Sequence, residues 1–304
     1  MNPHVFIVGC PRSGTTLLKR MVDAHPEISI THETHWITKL LKGDAAASLT
    51  EPVTPALLAR LLADQRFQRL KVDPEPLERL VTGDPPASYA ELVGAVYDQY
   101  GARKGKPLVG DKTPRYVRDI PVLHELFPHA RFVHLIRDGR DVCSSVLHWK
   151  NERGRWTVTS RATWEDEPVM TIALWWEQRV RLGREAGAAL GPGLYHELRY
   201  EALTSAPAME CAALCAFLGV PEDDGMLAFH EGRTRDEPGL DTKSAWRPVT
   251  AGLRSWRREM TETDLEAFEA VAGDLLTQLG YPRGAPDPSP EAKRRAASVR
   301  ESRR

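Results

Sequence analysis

Arg12, Ser13, Gly14, Thr15 and Thr16 are side chains and backbone suited to holding an anion, and their spacing places them in one turn. They follow the apolar run Val5-Phe6-Ile7-Val8 and precede a helical pattern beginning at Thr15. A buried strand, a glycine-containing loop and a helix N-terminus make a phosphate cradle: loop N–H groups converge, and the helix dipole adds favourable potential. A second set of ionisable groups, His32, Glu33 and His35, follows the β-prone Ile28-Ser29-Ile30. The C-terminal ends of strands are where α/β proteins place chemistry. Glu33 is the candidate proton acceptor and His35 its competitor. His-x-x-His supplies two metal ligands at most, which is weak evidence for a metal. A third set, Arg137 and Ser145, lies at the end of the apolar run Phe132–Ile136 and eight residues on. A guanidinium and a hydroxyl so spaced can hold one phosphate between them.

The spacing from Gly9 to Gly14 resembles the P-loop pattern G-x4-G-K-[ST]. It departs at Thr15, where that pattern has the lysine that reaches the outer phosphates of ATP, while Thr16 keeps the hydroxyl position. The nearest cation is Arg12, inside the loop. A phosphate site is therefore expected, with little case for Mg-dependent ATP hydrolysis.

These motifs resemble those of sulfotransferases that use 3′-phosphoadenosine 5′-phosphosulfate (PAPS). The loop Pro11–Thr16 reads PRSGTT, the wording of the 5′-phosphosulfate loop in that family. The stretch Phe127–Ser145, FPHARFVHLIRDGRDVCSS, is similar to FPxAKFxHLxRDGRDVxxS of the bacterial and tyrosylprotein-type branch. Lys112-Thr113-Pro114 matches a KTP that precedes it. Arg199-Tyr200-Glu201-Ala202-Leu203 resembles an RYEDL segment, with Ala202 in place of an acid. The resemblance implies an O-sulfotransferase with PAPS as co-substrate and no metal. It implies that Arg12 stabilises the transferring sulfuryl group and that Ser13, Gly14, Thr15 and Thr16 hold the 5′-phosphate. Arg137 and Ser145 then read the 3′-phosphate, Tyr200 lies near the adenine, and Glu33 or His35 acts as base, with Lys112 reaching the bridging oxygen. Arg247, before Pro248, fits loosely a late loop that closes on the cofactor. A nucleotide kinase or other NTP-binding P-loop protein, and an inactive nucleotide-binding partner protein, are the alternatives.

The elements that must position these groups follow from the apolar pattern. Five short runs, Val5–Val8, the Ile28 region, Leu108–Val109, Phe132–Ile136 and Leu194–Leu198, read as a parallel sheet flanked by helices, a P-loop-like α/β fold. Residues 37–106 read as a helical insertion, with helical spacing over Pro52–Phe67 and Ala87–Tyr100. Helices are also expected over Asp119–Phe127, Met170–Ala189, Ala206–Gly219 and Thr261–Leu279, the last with Thr261 as its cap. Trp175 and Trp176 read as core. Asn151–Val169 is polar and carries Arg153, Arg155 and Arg161, which could meet an acidic acceptor. The domain is expected over 1–283, and 284–304 reads as a disordered basic tail, six Lys/Arg against three Asp/Glu.

Composition bounds the rest. The 304 residues are 41% hydrophobic, enough for one large α/β core. Net charge is −1, so no bulk field points to nucleic acid. No apolar run is long enough for a bilayer span. The N-terminus enters a core strand within four residues, so no signal peptide is expected. The four cysteines, Cys10, Cys143, Cys211 and Cys215, lack disulfide or zinc spacing. A reducing, cytoplasmic setting is expected, with a small-molecule or carbohydrate acceptor. Cys10 lies in the anion loop, where a reactive thiol is conceivable.

Overall fold

The computed structural model describes residues 3–42, 46–150, 158, 161–231, 248–250 and 255–302. Arg247, Arg153 and Arg155 lie outside the described residues. In chain order the elements begin with β1 (Val5–Gly9), α1 (Thr15–Ala24) and β2 (Ile28–Thr31). The insertion holds α2 (Trp36–Lys39), α3 (Pro55–Leu62), α4 (Gln65–Gln68), α5 (Pro74–Thr82) and α6 (Tyr89–Lys104). Then come β3 (Leu108–Lys112), a 3₁₀ turn (Pro114–Arg118), α7 (Ile120–Leu126), β4 (Arg131–Ile136) and α8 (Gly139–Lys150). The chain continues with α9 (Pro168–Leu190), β5 (Tyr195–Arg199), α10 (Tyr200–Ser205) and α11 (Pro207–Leu218). It ends with α12 (Trp256–Glu259), α13 (Glu262–Gln278) and α14 (Pro290–Glu301).

The five strands form one parallel sheet in the order β2-β3-β1-β4-β5. β1 is buried along its whole length, and the two-residue period of a strand splits it between two cores. Phe6 and Val8 pack with the insertion helices, through Trp36, Leu61, Tyr89 and Val96. Val5 and Ile7 pack with α1 and α11, through Leu18, Val22 and Leu214. A third cluster joins α8, α9, α13 and α14 around Val142, Trp176, Phe268 and Ala296.

The strand order changes direction at β1. The connection leaving β1 runs to β2 on one side, and the one leaving β4 runs to β5 on the other. Such a switch point opens a crevice at the carboxyl ends of the strands. Register then sets heights: Gly9 pairs with Leu135, so the loops after β1 and β4 leave the sheet side by side. Thr31 pairs with Asp111, so Glu33 and Lys112 emerge together from β2 and β3.

Two expectations change. β3 runs past the expected Leu108–Val109 through Asp111 to Lys112, its last residue. The tail expected to be disordered carries α14. Ser289 caps it, accepting from the Ala292 N–H at 3.2 Å, and Pro290 opens its first turn. Ala292, Ala296 and Val299 face the third core cluster, and Arg295 grips Glu167 through two bonds of 2.6 and 2.7 Å. Its basic residues face outward from a stripe of small apolar ones, which is why composition alone reads as disorder.

Candidate active site

The loop after β1 is built by conformation as much as by side chains. Ser13 N–H donates to the Cys10 carbonyl at 3.1 Å, closing the turn. Arg12 sits at φ 77°, a left-handed conformation unusual outside glycine. Gly14 caps α1 at φ 94°, with no side-chain cap. Gly14 offers no side chain to cap the start of α1, and a helix N-terminus left open in this way suits an anion. The Ser13 hydroxyl is buried and unpartnered. Arg12 reaches out of the loop, its Nε donating to the Ser145 hydroxyl at 2.9 Å. That bond joins two motifs 133 residues apart.

Arg137 leaves β4 beside this loop. Its guanidinium lies 4.4 Å from the ring centroid of Tyr200, a cation–π distance. Its Nη2 makes a long bond, 3.4 Å, to Asp141. Its Nε is buried without a partner. The Tyr200 ring also lies against Gly14: a Cβ there would sit 2.4 Å from Tyr Cδ2. Tyr200 thus touches both anion motifs. Arg137 and Ser145 are not bonded to each other in the structure, each having a different protein partner.

Glu33 stands between two donors. Lys112 Nζ donates to its Oε1 at 2.8 Å, and His35 Nε2 lies 3.2 Å from its Oε2. Burial pushes the Glu33 carboxyl up, but the hydrogen bond from His35 and the buried Lys112 ammonium outweigh it and hold the group well below the carboxylate range. His35 does not sit on an extended chain. It is left-handed, φ 55°, at the start of α2, and its ring turns back to Glu33. His32 is exposed. The backbone beneath is fixed by polar contacts: Thr34 N–H to Thr113 Oγ1 at 3.0 Å, Thr34 Oγ1 to Tyr116 Oη at 3.0 Å, and Thr31 Oγ1 to Asp111 at 3.1 Å. Among the described residues no group of three His, Cys, Asp or Glu could hold a metal ion.

The structure thus groups the named residues in two places. Arg12, Ser13, Gly14, Thr15, Thr16, Arg137, Ser145 and Tyr200 gather at the β1/β4 crevice. Glu33, His35 and Lys112 gather at the ends of β2 and β3. Cys10 is no reactive thiol: it is buried, and burial pushes its ionisation far up. Sequence reasoning missed several supporting groups. Trp176, read as core, donates its indole N–H to the Arg137 carbonyl at 3.1 Å. Asp141 accepts the Trp256 N–H at 2.7 Å. Arg140 is fully buried, bonded to Asp138 and Glu269, with Trp256 stacked 3.8 Å away. The alternation RDGRD was the available signal, since charges so dense beside a core strand must pair to be buried.

A parallel sheet with an anion-type loop at its switch point and a second anion-type motif bonded to that loop defines an α/β fold without the P-loop lysine. The profile described as Sulfotransferase family matches residues 3–224, and the chain belongs to that family. Protein-tyrosine sulfotransferase A of Caenorhabditis elegans is 26% identical over 293 residues, covering 95% of this chain and 70% of that protein. The sulfotransferase domain of the Synechococcus PCC 7002 olefin synthase has a TM-score of 0.62 at 22% identity, covering 92% of this chain and 95% of that one. Mouse sulfotransferase SULT7A1, solved in complex with PAP, has a TM-score of 0.50 at 13% identity, covering 99% and 90%. These two likenesses establish a shared fold. Among the described residues no helix is long and apolar enough to cross a membrane.

Proposed function

We propose that this chain transfers a sulfuryl group from PAPS to an acceptor hydroxyl of a small molecule, a carbohydrate or a tyrosine side chain. The observation that carries this reading is the Arg12–Ser145 bond, which brings the loop after β1 and the motif after β4 into one site. Buried polar atoms without protein partners, Ser13 Oγ and Arg137 Nε, fit a ligand rich in phosphate oxygens. Mouse SULT7A1 was solved with PAP, the desulfated product of PAPS, and the C. elegans relative is named for protein tyrosine.

In this reading the first N–H groups of α1, Ser13, Thr15 and Thr16 hold the 5′-phosphate, and Arg12 stabilises charge on the moving group. Arg137 and Ser145 hold the 3′-phosphate, with the Tyr200 face toward the base. PAPS supplies the sulfuryl group. Glu33 takes the acceptor's proton at its carboxylate, and Lys112 and His35 hold that carboxylate in place. The depressed pKa makes Glu33 a weak base, so it takes the proton late in the reaction, when the acceptor oxygen has become acidic. The reading includes a cytoplasmic setting, supported by four cysteines buried as thiols.

Calorimetry tests the cofactor. Adenosine 3′,5′-bisphosphate (PAP) should bind tightly without magnesium, and ATP weakly with or without it. Tighter binding of Mg·ATP would turn the assignment to a kinase. A screen of hydroxyl acceptors with labelled PAPS and mass spectrometry then tests transfer.

A further inference from the structure

Two adjacent residues at the start of α10 grip two adjacent residues after β4. The backbone ladder between β4 and β5 ends with Ile136 opposite Arg199. Beyond it the pairing continues through side chains. Tyr200 meets the Arg137 guanidinium at 4.4 Å, and Glu201 Oε1 accepts the Asp138 N–H at 2.9 Å. The peptide unit joining Arg137 to Asp138 is thereby held on both sides, since its carbonyl accepts the Trp176 indole N–H at 3.1 Å. A planar peptide held at both its polar atoms fixes ψ of Arg137 and φ of Asp138, the torsions about which this loop would otherwise swing.

Asp138 is also the residue from which α8 starts. Its carbonyl accepts the Val142 N–H at 3.1 Å, the first bond of the helix. Its carboxylate accepts the Arg140 N–H at 3.0 Å and holds the Arg140 guanidinium at 3.0 and 2.7 Å. In a capping box the N–H of the capping residue is taken by an acid three positions on. Here that acid is Asp141, and it is committed elsewhere, to the Trp256 N–H at 2.7 Å and to Arg137 at 3.4 Å. Glu201 supplies the missing half of the box from another element. Its Oε2 accepts the Tyr281 hydroxyl at 2.8 Å, and the Arg199 guanidinium lies 5.5 Å from the Tyr281 ring centroid. Both carboxylate oxygens are therefore engaged, and the side chain cannot turn without losing a bond. Asp138 and Asp141 already put two carboxylates at this corner, and the charge of Glu201 acts on Asp141 as well. A third negative charge does not draw a phosphate in, so what Glu201 contributes is direction.

We propose that Glu201 is a positioning residue for the 3′-phosphate: by holding the Asp138 N–H it sets Arg137 and the start of α8, and with them Ser145, in one geometry. The inference rests on the sulfotransferase reading, in which Arg137 and Ser145 take that phosphate. Ser145 is in turn bonded to Arg12, so a swing of the α8 start would also move the link between the two anion motifs.

Calorimetric competition between PAP and adenosine 5′-phosphate, which lacks the 3′-phosphate, reads the effect. Wild type should prefer PAP by about 100-fold, as charge-assisted bonds to a phosphate give. Glu201→Ala should cut that preference about tenfold, all of it in PAP, with affinity for adenosine 5′-phosphate kept within about threefold. Glu201→Gln keeps an oxygen for the Asp138 N–H and an amide donor for the Tyr281 hydroxyl, so it should stay within about threefold of wild type. Equal loss for both nucleotides in the alanine variant, an unchanged preference, or a glutamine variant as weak as the alanine one overturns the inference and leaves the sulfotransferase reading standing. If circular dichroism shows that the alanine variant does not fold, Tyr281→Phe decides. It removes only the second bond of Glu201 and should lower the preference about threefold at unchanged affinity for adenosine 5′-phosphate; an unchanged preference overturns the inference. A wild type that does not distinguish the two nucleotides would defeat the sulfotransferase reading, and the inference with it.

Discussion

Glu33 carries two consequences that separate it from His35. Its carboxylate is bonded on both oxygens, by Lys112 and by His35, and stays ionised far below neutral pH. Glu33→Gln should lower kcat by about 10²–10⁴-fold, the range for a general base, while PAP affinity is kept. His35→Asn should lose less, since it removes a support of the carboxylate. A dead His35→Asn beside a normal Glu33→Gln would make the histidine the base. Linkage gives a second readout on the same variant. The folded-state pKa of Glu33 is depressed, so its contribution to stability is present above the ordinary carboxylate value of 4.5 and is lost as pH falls through the folded value. The stability gap between wild type and Glu33→Gln, measured by denaturant titration, should therefore be full at neutral pH and shrink on acidification below that value. A gap that widens in acid would refute the assignment of the depressed pKa. At this scale the sequence was informative about identity and silent about pairing. Glu33, Arg137 and Ser145 were named from strand ends and spacing and Lys112 from the resemblance, but the partner of Ser145 is Arg12 and that of Arg137 is Tyr200. Such pairs depend on which strands adjoin, and strand order is not written in local pattern.

Strand β1 and its loop set the site by register and by one glycine. The apolar runs of β1 to β4 were readable because those strands are buried on both faces, and the caps at Thr54, Ser88 and Thr261 mark helix starts as their side chains suggest. The close approach of α10 to α1 was not readable, since nothing in RYEAL or SGTT alone says that they touch. Gly14 combines two demands: a left-handed backbone at φ 94° and the Tyr200 ring where a Cβ would be. Gly14→Ala must strain the loop, at about 1–3 kcal/mol for such a backbone, and displace the ring on which Arg137 rests. PAP affinity should fall at least about tenfold, one factor of ten per 1.4 kcal/mol. The double variant Gly14→Ala/Tyr200→Ala separates the causes. It removes the clash but not the backbone strain, so it should bind PAP better than the sum of the two single losses implies. Strict additivity in calorimetry would mean that ring and glycine act independently.

The third core cluster ties the nucleotide-type motif after β4 to the far end of the chain. Arg140, one residue into α8, bonds Glu269 of α13 at 2.7 Å, and Glu269 also takes the N–H groups of Gly284 and Ala285 at 2.9 Å. These bonds lead the chain out of α13 toward α14, which closes over α9 and α13. The sequence reading missed α14 because it weighed charge. The stripe Ala292, Ala296 and Val299 has helical spacing, but its side chains are too small to stand out among six cations. Docking of α14 buries those three side chains and sets Arg300 on Glu177 at 2.7 Å. Two alanines and a valine are worth roughly 3 kcal/mol at about 0.8 per buried CH₂-sized group and 1.5 for valine. The half-exposed ion pairs to Glu167 and Glu177 add about 0–1 kcal/mol each. A chain ending at Asp287 keeps the Glu269 bonds to Gly284 and Ala285 but lacks α14. It should lose about 3 kcal/mol, or roughly 5–10 °C in Tm, while still binding PAP, because neither anion motif touches α14. Thermal unfolding with and without PAP distinguishes the outcomes. An unchanged Tm would mean that α14 contributes nothing to the core, whereas loss of PAP binding would mean that the Arg140–Glu269 link needs α14 to hold the α8 motif in place.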